Sequence, residues 1–386
     1  MERARRRRCL RTFTLAAAGA AALSAAGASA MAATGHPISP AVAACAKASG
    51  PTRIGHFSGI IRPVAVKNAC PLRAGDPAKG TPPLLFHGGN VMGTSSTGAV
   101  VITPIFWDPT GFGMATAYKN IITTYLSGVA AASGQHTNVF STLTEYSGAN
   151  GPILYKVKMG AAINDTDALP ASGCTVGSKD KTGIYADKTG YKACLDDAQV
   201  STEANKVRKA HTLPANLAHI YVVFLPKHVE TCFHSGSTTT SANQCAINHY
   251  PSATFCAYHS LATSSHMVYA NMAFPVYKSP TGFTCGSDGS FGGVVETPNG
   301  NADADTEVSP TSHEIMEAIT DPDTQTGWYD SSGFENGDEC AYVYGTTQGT
   351  AGSLYNQVIG GHHYLTQEEF SNNDFASTGG GCIPSE

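Results

Sequence analysis

Cysteines run from Cys45 to Cys382 with no two in CxxC spacing, and this distribution narrows the possible folds more than any other feature of the chain. Apart from Cys9 there are ten: Cys45, Cys70, Cys174, Cys194, Cys232, Cys245, Cys256, Cys285, Cys340 and Cys382. An even set without knuckle or redox spacing reads as up to five structural bridges formed in an oxidising compartment. Loops are then stapled to a packed domain at several points. Short separations single out Cys45 with Cys70 and Cys174 with Cys194. Each would close a loop whose constraint is worth about 3 kcal/mol.

The N-terminus agrees with such a compartment. Arg3, Arg5, Arg6, Arg7, Arg8 and Arg11 precede an Ala/Leu-rich stretch that ends at Ala28-Ser29-Ala30, the layout of a signal peptide over residues 1–30. Its apolar core is too short to span a bilayer, so no membrane anchor is expected and the product is secreted and extracellular. The run Arg6-Arg7-Arg8-Cys9-Leu10-Arg11 is compatible with twin-arginine export or with the general secretory route. Of 24 Lys and Arg, six lie in this leader, against one of 29 acids, so the remainder carries 18 basic and 28 acidic side chains. An acidic chain without a basic stripe has no electrostatic footprint for nucleic acid.

Residues 31–80 are rich in Ala, Pro and Gly with little periodicity and read as an N-terminal extension or pro-segment. A domain over residues 81–386 follows, long enough for one large core. Short β-branched and aromatic runs predict strands at Ala99–Trp107, Ala218–Leu225 and Met267–Phe274. Tyr118, Ile121, Ile122, Tyr125, Leu126 and Val129 fall on one face of a helix over Ala115–Ala132, and a second helix is expected over Asp197–Lys209. The segment Cys232–Cys285, dense in Cys, Ser, Thr, Gly and His, reads otherwise as disulfide-pinned loop. The expected class is therefore α/β (α+β), a single mixed-sheet domain stabilised by disulfides.

One segment carries chemistry. Ser309-Pro310-Thr311-Ser312 supplies a helix start and Asp321-Pro322 a stop, which predicts two to three turns around His313-Glu314-Ile315-Met316-Glu317. Residues four apart share a helix face, so His313 and Glu317 can bind one metal while Glu314 acts as general base. That is zincin logic, with Glu317 where zincins carry a second His. Zinc is the expected cofactor, but the added carboxylate makes harder ions such as Mn²⁺ or Ca²⁺ more competitive with it. Among the acids downstream, Asp321, Asp323, Glu335 and Asp338 are candidates for the missing ligand, with Asp321 and Glu335 preferred. His87 and His259 are candidates to stabilise a developing oxyanion. Two blander readings compete: a packed helix whose acids face solvent, and an acidic loop that holds a structural calcium ion. No GxSxG elbow is present.

Phe86-His87-Gly88-Gly89, the strand ending Pro104-Ile105-Phe106-Trp107, and the long block from Ser312 through Trp328-Tyr329-Asp330 to Glu335-Asn336-Gly337-Asp338-Glu339-Cys340 together resemble the Exordium-like, or phosphate-induced, secreted proteins. The resemblance spans about residues 83–386. It implies an extracellular or wall-associated protein, with bacterial members that look metallopeptidase-like. The combined expectation is a secreted zinc metallopeptidase acting on an extracellular protein or peptide. The alternative is a non-catalytic protein that binds a cell-wall component and carries a structural ion.

Overall fold

The computed structural model describes residues 57–61, 64–65, 82–174, 184–236, 244–246, 254–280 and 282–386. The expected leader and the Cys45–Cys70 bridge lie outside these residues.

Its centre is a seven-stranded mixed sheet built from β1 (Phe57–Ile61), β2 (Val100–Trp107), β3 (Val157–Met159), β4 (Ile163–Asp165), β5 (His219–Phe224), β6 (Ala257–Ala262) and β7 (Met267–Met272). The order is β1-β6-β7-β5-β2-β3, with β4 also pairing β2. The strands β7, β5, β2, β3 and β4 pair in parallel, whereas β6 and β1 add two antiparallel members at one side. The two runs rich in Val, Ile and Phe are β2 and β5. They sit in the middle, buried on both faces, as near-continuous apolar strands of parallel sheets do.

Pro104 lies inside β2, where a missing N–H would break a ladder. The neighbour changes at that point: Val100–Ile102 pair with Val157–Met159, and Ile105–Trp107 pair with Ile163–Asp165. One extra residue on the partner side makes a bulge opposite Thr103-Pro104.

Helices cover both faces. Helix α1 (Thr116–Ala131) buries Tyr118, Ile122, Tyr125, Leu126 and Val129, the predicted stripe, and packs on α3 (Ala302–Thr320). Helix α2 (Asp197–Ala210) opens with a capping box between Asp196 and Gln199. It lies on the opposite face, where Tyr258 and Tyr269 both donate to Asp197 Oδ1, at 2.7 and 2.6 Å. Alternation along β6 therefore turns His259 towards α3.

Two expectations need correction. The motif helix starts at Ala302, ten residues before Ser312, with Asn301 accepting from the Ala304 N–H at 3.0 Å and Asp303 and Asp305 in the first turn. Pro310 is interior, which removes the bond to the Thr306 carbonyl and costs about 3 kcal/mol by intrinsic propensity. Burial of α3 from Ala304 to Thr320 outweighs that cost. The second correction concerns Cys232–Cys285, read as loop around one strand. It also holds β6, whose Ala, Ser and His are weak strand formers that pair because β7 and β1 flank them. The extension, too, contributes a strand of the sheet, β1.

Four disulfides occur among the described residues: Cys174–Cys194, as predicted, with Cys232–Cys245, Cys256–Cys285 and Cys340–Cys382. No helix among these residues is long and apolar enough to cross a membrane.

Candidate metal centre

His313, Glu314 and Glu317 project from the last two turns of α3 and are completely buried. The i,i+4 spacing does what the sequence predicts: His313 Nε2 lies 3.0 Å from Glu317 Oε2. Asp338 enters from the turn that follows, with Oδ1 at 3.5 Å from the same nitrogen. His313, Glu317 and Asp338 each offer one atom to a group whose members lie within 4.8 Å of one another. None of His313 Nε2, Glu317 Oε2 and Asp338 Oδ1 makes a hydrogen bond. A tetrahedral ion with ligands at about 2.0–2.2 Å holds them about 3.3–3.6 Å apart, the scale seen here.

The second oxygen of each carboxylate is held. Glu317 Oε1 accepts from the Asp338 backbone N–H at 2.8 Å, and Asp338 Oδ2 accepts from the Glu335 N–H at 3.1 Å. One oxygen is thus anchored and the other left to face His313, an outer-shell arrangement that fixes ligand direction. The turn is itself braced. Gln367 Nε2 donates to the Gly337 carbonyl at 2.7 Å, the Phe370 N–H donates to Asn336 at 3.1 Å, and Cys340 is bridged to Cys382. Gly337 is required by contact, because a Cβ there would lie 2.8 Å from His313 Nδ1 and 2.9 Å from Glu317 Oε1.

On the other side of the motif stands His259. Its Nε2 donates to the Asp321 carbonyl at 3.1 Å, which leaves Nδ1 facing Glu314 Oε2 at 3.3 Å. A carbonyl only accepts, so the hydrogen on Nε2 is fixed. With that tautomer Nδ1 is an acceptor, and it meets the Glu314 carboxylate through a proton or a cation. His259, Glu314 and Glu317 form a second close group, with Glu317 shared by both.

Glu369 completes the acidic surroundings and accepts from Asn336 Nδ2 at 3.1 Å, while Asn336 accepts from Thr320. No lysine or arginine among the described residues forms an ion pair with Glu314, Glu317, Asp338 or Glu369. Burial raises the carboxyls of Glu314 and Glu369 well above the ordinary range, despite the opposing charge of His313. Burial and then the Asp338 charge push Glu317 up to about 7. For His313, burial alone would depress the imidazole, but Glu317 and Asp338 outweigh it and raise the group well above its usual value. Among the described residues no basic side chain offsets the charge of this fully buried cluster, a setting that favours bound protons or a cation.

The expected ligands are placed unevenly. His313, Glu317 and Glu314 come together in one buried cluster. Asp321 contributes its carbonyl to His259, and Glu335 Oε2 lies 3.7 Å from His259 Nε2, so both border the His259 side of the site. The carboxylate that approaches His313 is that of Asp338, one of the four downstream candidates though not one of the two preferred. His87 stacks on Tyr329 at a centroid distance of 3.6 Å and bonds its carbonyl, in the two-stranded pairing of Leu85–Phe86 with Trp328–Tyr329. His259, named from the sequence beside His87 as a candidate oxyanion stabiliser, borders the motif, a placement that local sequence did not reveal. The available signal was the alternation Tyr258-His259-Ser260 opposite the strand Met267–Met272.

These buried His, Glu and Asp groups can hold a metal ion. No family model, curated protein or solved structure matches the chain.

Proposed function

We propose that the chain is a secreted metal-dependent hydrolase, a zinc metallopeptidase in which His313, Glu317 and Asp338 hold the ion. The single observation that carries this reading is the convergence of three buried, non-hydrogen-bonded ligand atoms, His313 Nε2, Glu317 Oε2 and Asp338 Oδ1. One imidazole with two carboxylates suits zinc better than calcium, which takes six to eight oxygens. A bound zinc ion would lower the pKa of water at the site to about 7.

The protein's own groups supply the rest. Glu314 directly follows His313 in sequence, and its Oε2 lies 3.3 Å from His259 Nδ1, so that as a carboxylate it is paired with that ring. It is the group suited to take a proton from water, and His259 steadies its charge as it changes. The Asp321 carbonyl holds His259 in the tautomer this requires. The zincin-like character of the fold and the likeness to Exordium-like secreted proteins belong to the same proposal.

One observation favours a second reading. His313, Glu314, Glu317 and His259 are all 0% exposed, and closed sites are typical of structural ions. Metal analysis and casein hydrolysis separate the two. On the hydrolase reading the protein carries zinc, chelation stops cleavage, and Glu314→Gln retains metal while losing on the order of 10²–10⁴-fold in rate. Retained metal with no cleavage by the wild-type chain, even after any N-terminal processing, leaves the structural ion.

A further inference from the structure

A buried centre needs a route for its substrate, and the sheet edge beside it is occupied by the chain's own N-terminal segment. The strand β1 pairs antiparallel with β6, Phe57 opposite Ser260, Ser58 opposite His259 and Ile61 opposite Ala257. Three steps on β1 match two on β6, so a bulge falls directly after the residue that faces His259. This strand also packs against α3 and against the single 3-10 turn Asp338–Cys340. It therefore touches each of the three elements that supply His259, the motif side chains and Asp338.

The pairing is non-local, joining residues some two hundred positions apart in sequence, and β1 is terminal in the strand order. Without it, β6 would be the edge of the sheet, with its backbone N–H and C=O groups unpaired and His259 on the strand that presents them. Open edges of this kind accept an added extended strand, with main-chain hydrogen bonds giving affinity.

We propose that the edge of β6 is a binding site for an extended polypeptide, and that Phe57–Ile61 is its intramolecular occupant, closing the metal centre until the segment is cut away or displaced. This inference rests on the hydrolase reading for its substrate class, and it identifies that substrate as a peptide bound antiparallel to β6. A tethered strand acts at an effective concentration on the order of millimolar, so a micromolar free peptide cannot displace it from the intact chain.

The test uses the full chain with a recognition sequence for a site-specific protease placed between Cys70 and Pro82. After cutting and removal of the N-terminal piece, a fluorescent peptide with the sequence of residues 55–63 is titrated and followed by anisotropy. Casein hydrolysis and metal content are read in parallel. The cut protein is expected to bind the peptide at micromolar concentration where the intact chain does not, and to gain roughly tenfold or more in hydrolysis as the tether's advantage is lost. In the uncut chain, Ser58→Pro removes the N–H opposite His259. It is expected to speed amide exchange across Ala257–Ala262 and to admit the peptide.

Failure of both folded proteins to bind the peptide overturns the inference. So does loss of the fold in both, which would make β1 a permanent strand of the sheet. Peptide binding without hydrolysis upholds the edge and rejects the hydrolase. Hydrolysis by the intact chain at the rate of the cut one rejects the closure while leaving the hydrolase standing.

Discussion

Two clusters of carboxylates in this molecule differ in whether a lysine reaches them. Asp165 and Glu203, both mostly buried, lie close to the exposed Asp167, and Lys206 Nζ reaches Asp167 at 2.5 Å and Glu203 at 2.9 Å. Its hydrogen bond and charge hold Asp167 below the usual carboxylate range. The group around Glu317 is buried, and no basic side chain among the described residues pairs with Glu314, Glu317, Asp338 or Glu369. Burial there drives carboxyls up. At the exposed Asp167 a lysine and water offset the charge at little cost. In the interior the same work falls to protons or to a cation, so proximity of acids alone does not make a metal site. What distinguishes the second group is a buried imidazole among its ligand atoms and no lysine reaching it among the described residues.

The contrast is open to direct attack. The largest effect is expected from His313→Ala, which should reduce bound metal from about one ion per chain to background, because the remaining carboxylates lack a nitrogen partner. Asp167→Asn should leave metal content unchanged, as measured by elemental mass spectrometry of desalted protein. Next comes Gly337→Ala. The new methyl would press on His313 and Glu317 at under 3 Å, with an expected loss of about 1–3 kcal/mol in denaturant unfolding, the usual cost of overpacking.

The pH dependence of metal-free protein sharpens the comparison further. Glu317 titrates near 4.5 when unfolded and near 7 when folded, so the native state binds more protons in that window and stability falls as pH rises through it. His313, also raised, has the same sign: its contribution is present below the ordinary histidine value and is lost at higher pH. Thermal melts of chelated protein should therefore drop from pH 5 to pH 7, and added zinc should oppose the trend by replacing the protons. In the other group only Asp167 has the reverse sign: it is lowered and its contribution disappears on acidification, whereas burial raises Asp165 and Glu203. The smallest effect belongs to Lys206→Ala, about 0–1 kcal/mol, because exposed ion pairs are screened.

How much of this was legible in the sequence depended on the range of the interaction. β2, β5 and α1 were readable because their apolar patterns are local and continuous. The His313–Glu317 pair was readable because one helical turn brings the two together whatever the tertiary context. The start of α3 was misplaced because Ser309-Pro310-Thr311-Ser312 has the local chemistry of a cap, and only the packing of Ala304–Val308 against the core overrides it. His259 and His87 were named together, and the sequence could not choose between them, since the position of His259 depends on a strand paired between β7 and β1. Asp338 could not be preferred over Asp321 or Glu335 by spacing, because the turn that aims it is held by Gln367, Phe370 and the Cys340–Cys382 bridge, all remote in sequence.

The central claim, that His313, Glu317 and Asp338 share a cation, is tested most directly by anomalous diffraction at the zinc absorption edge from crystals of the purified chain. One strong peak is expected, bounded by His313 Nε2, Glu317 Oε2 and Asp338 Oδ1. A flat map at that position from zinc-supplemented protein, with the three side chains drawn together by protons alone, would contradict it.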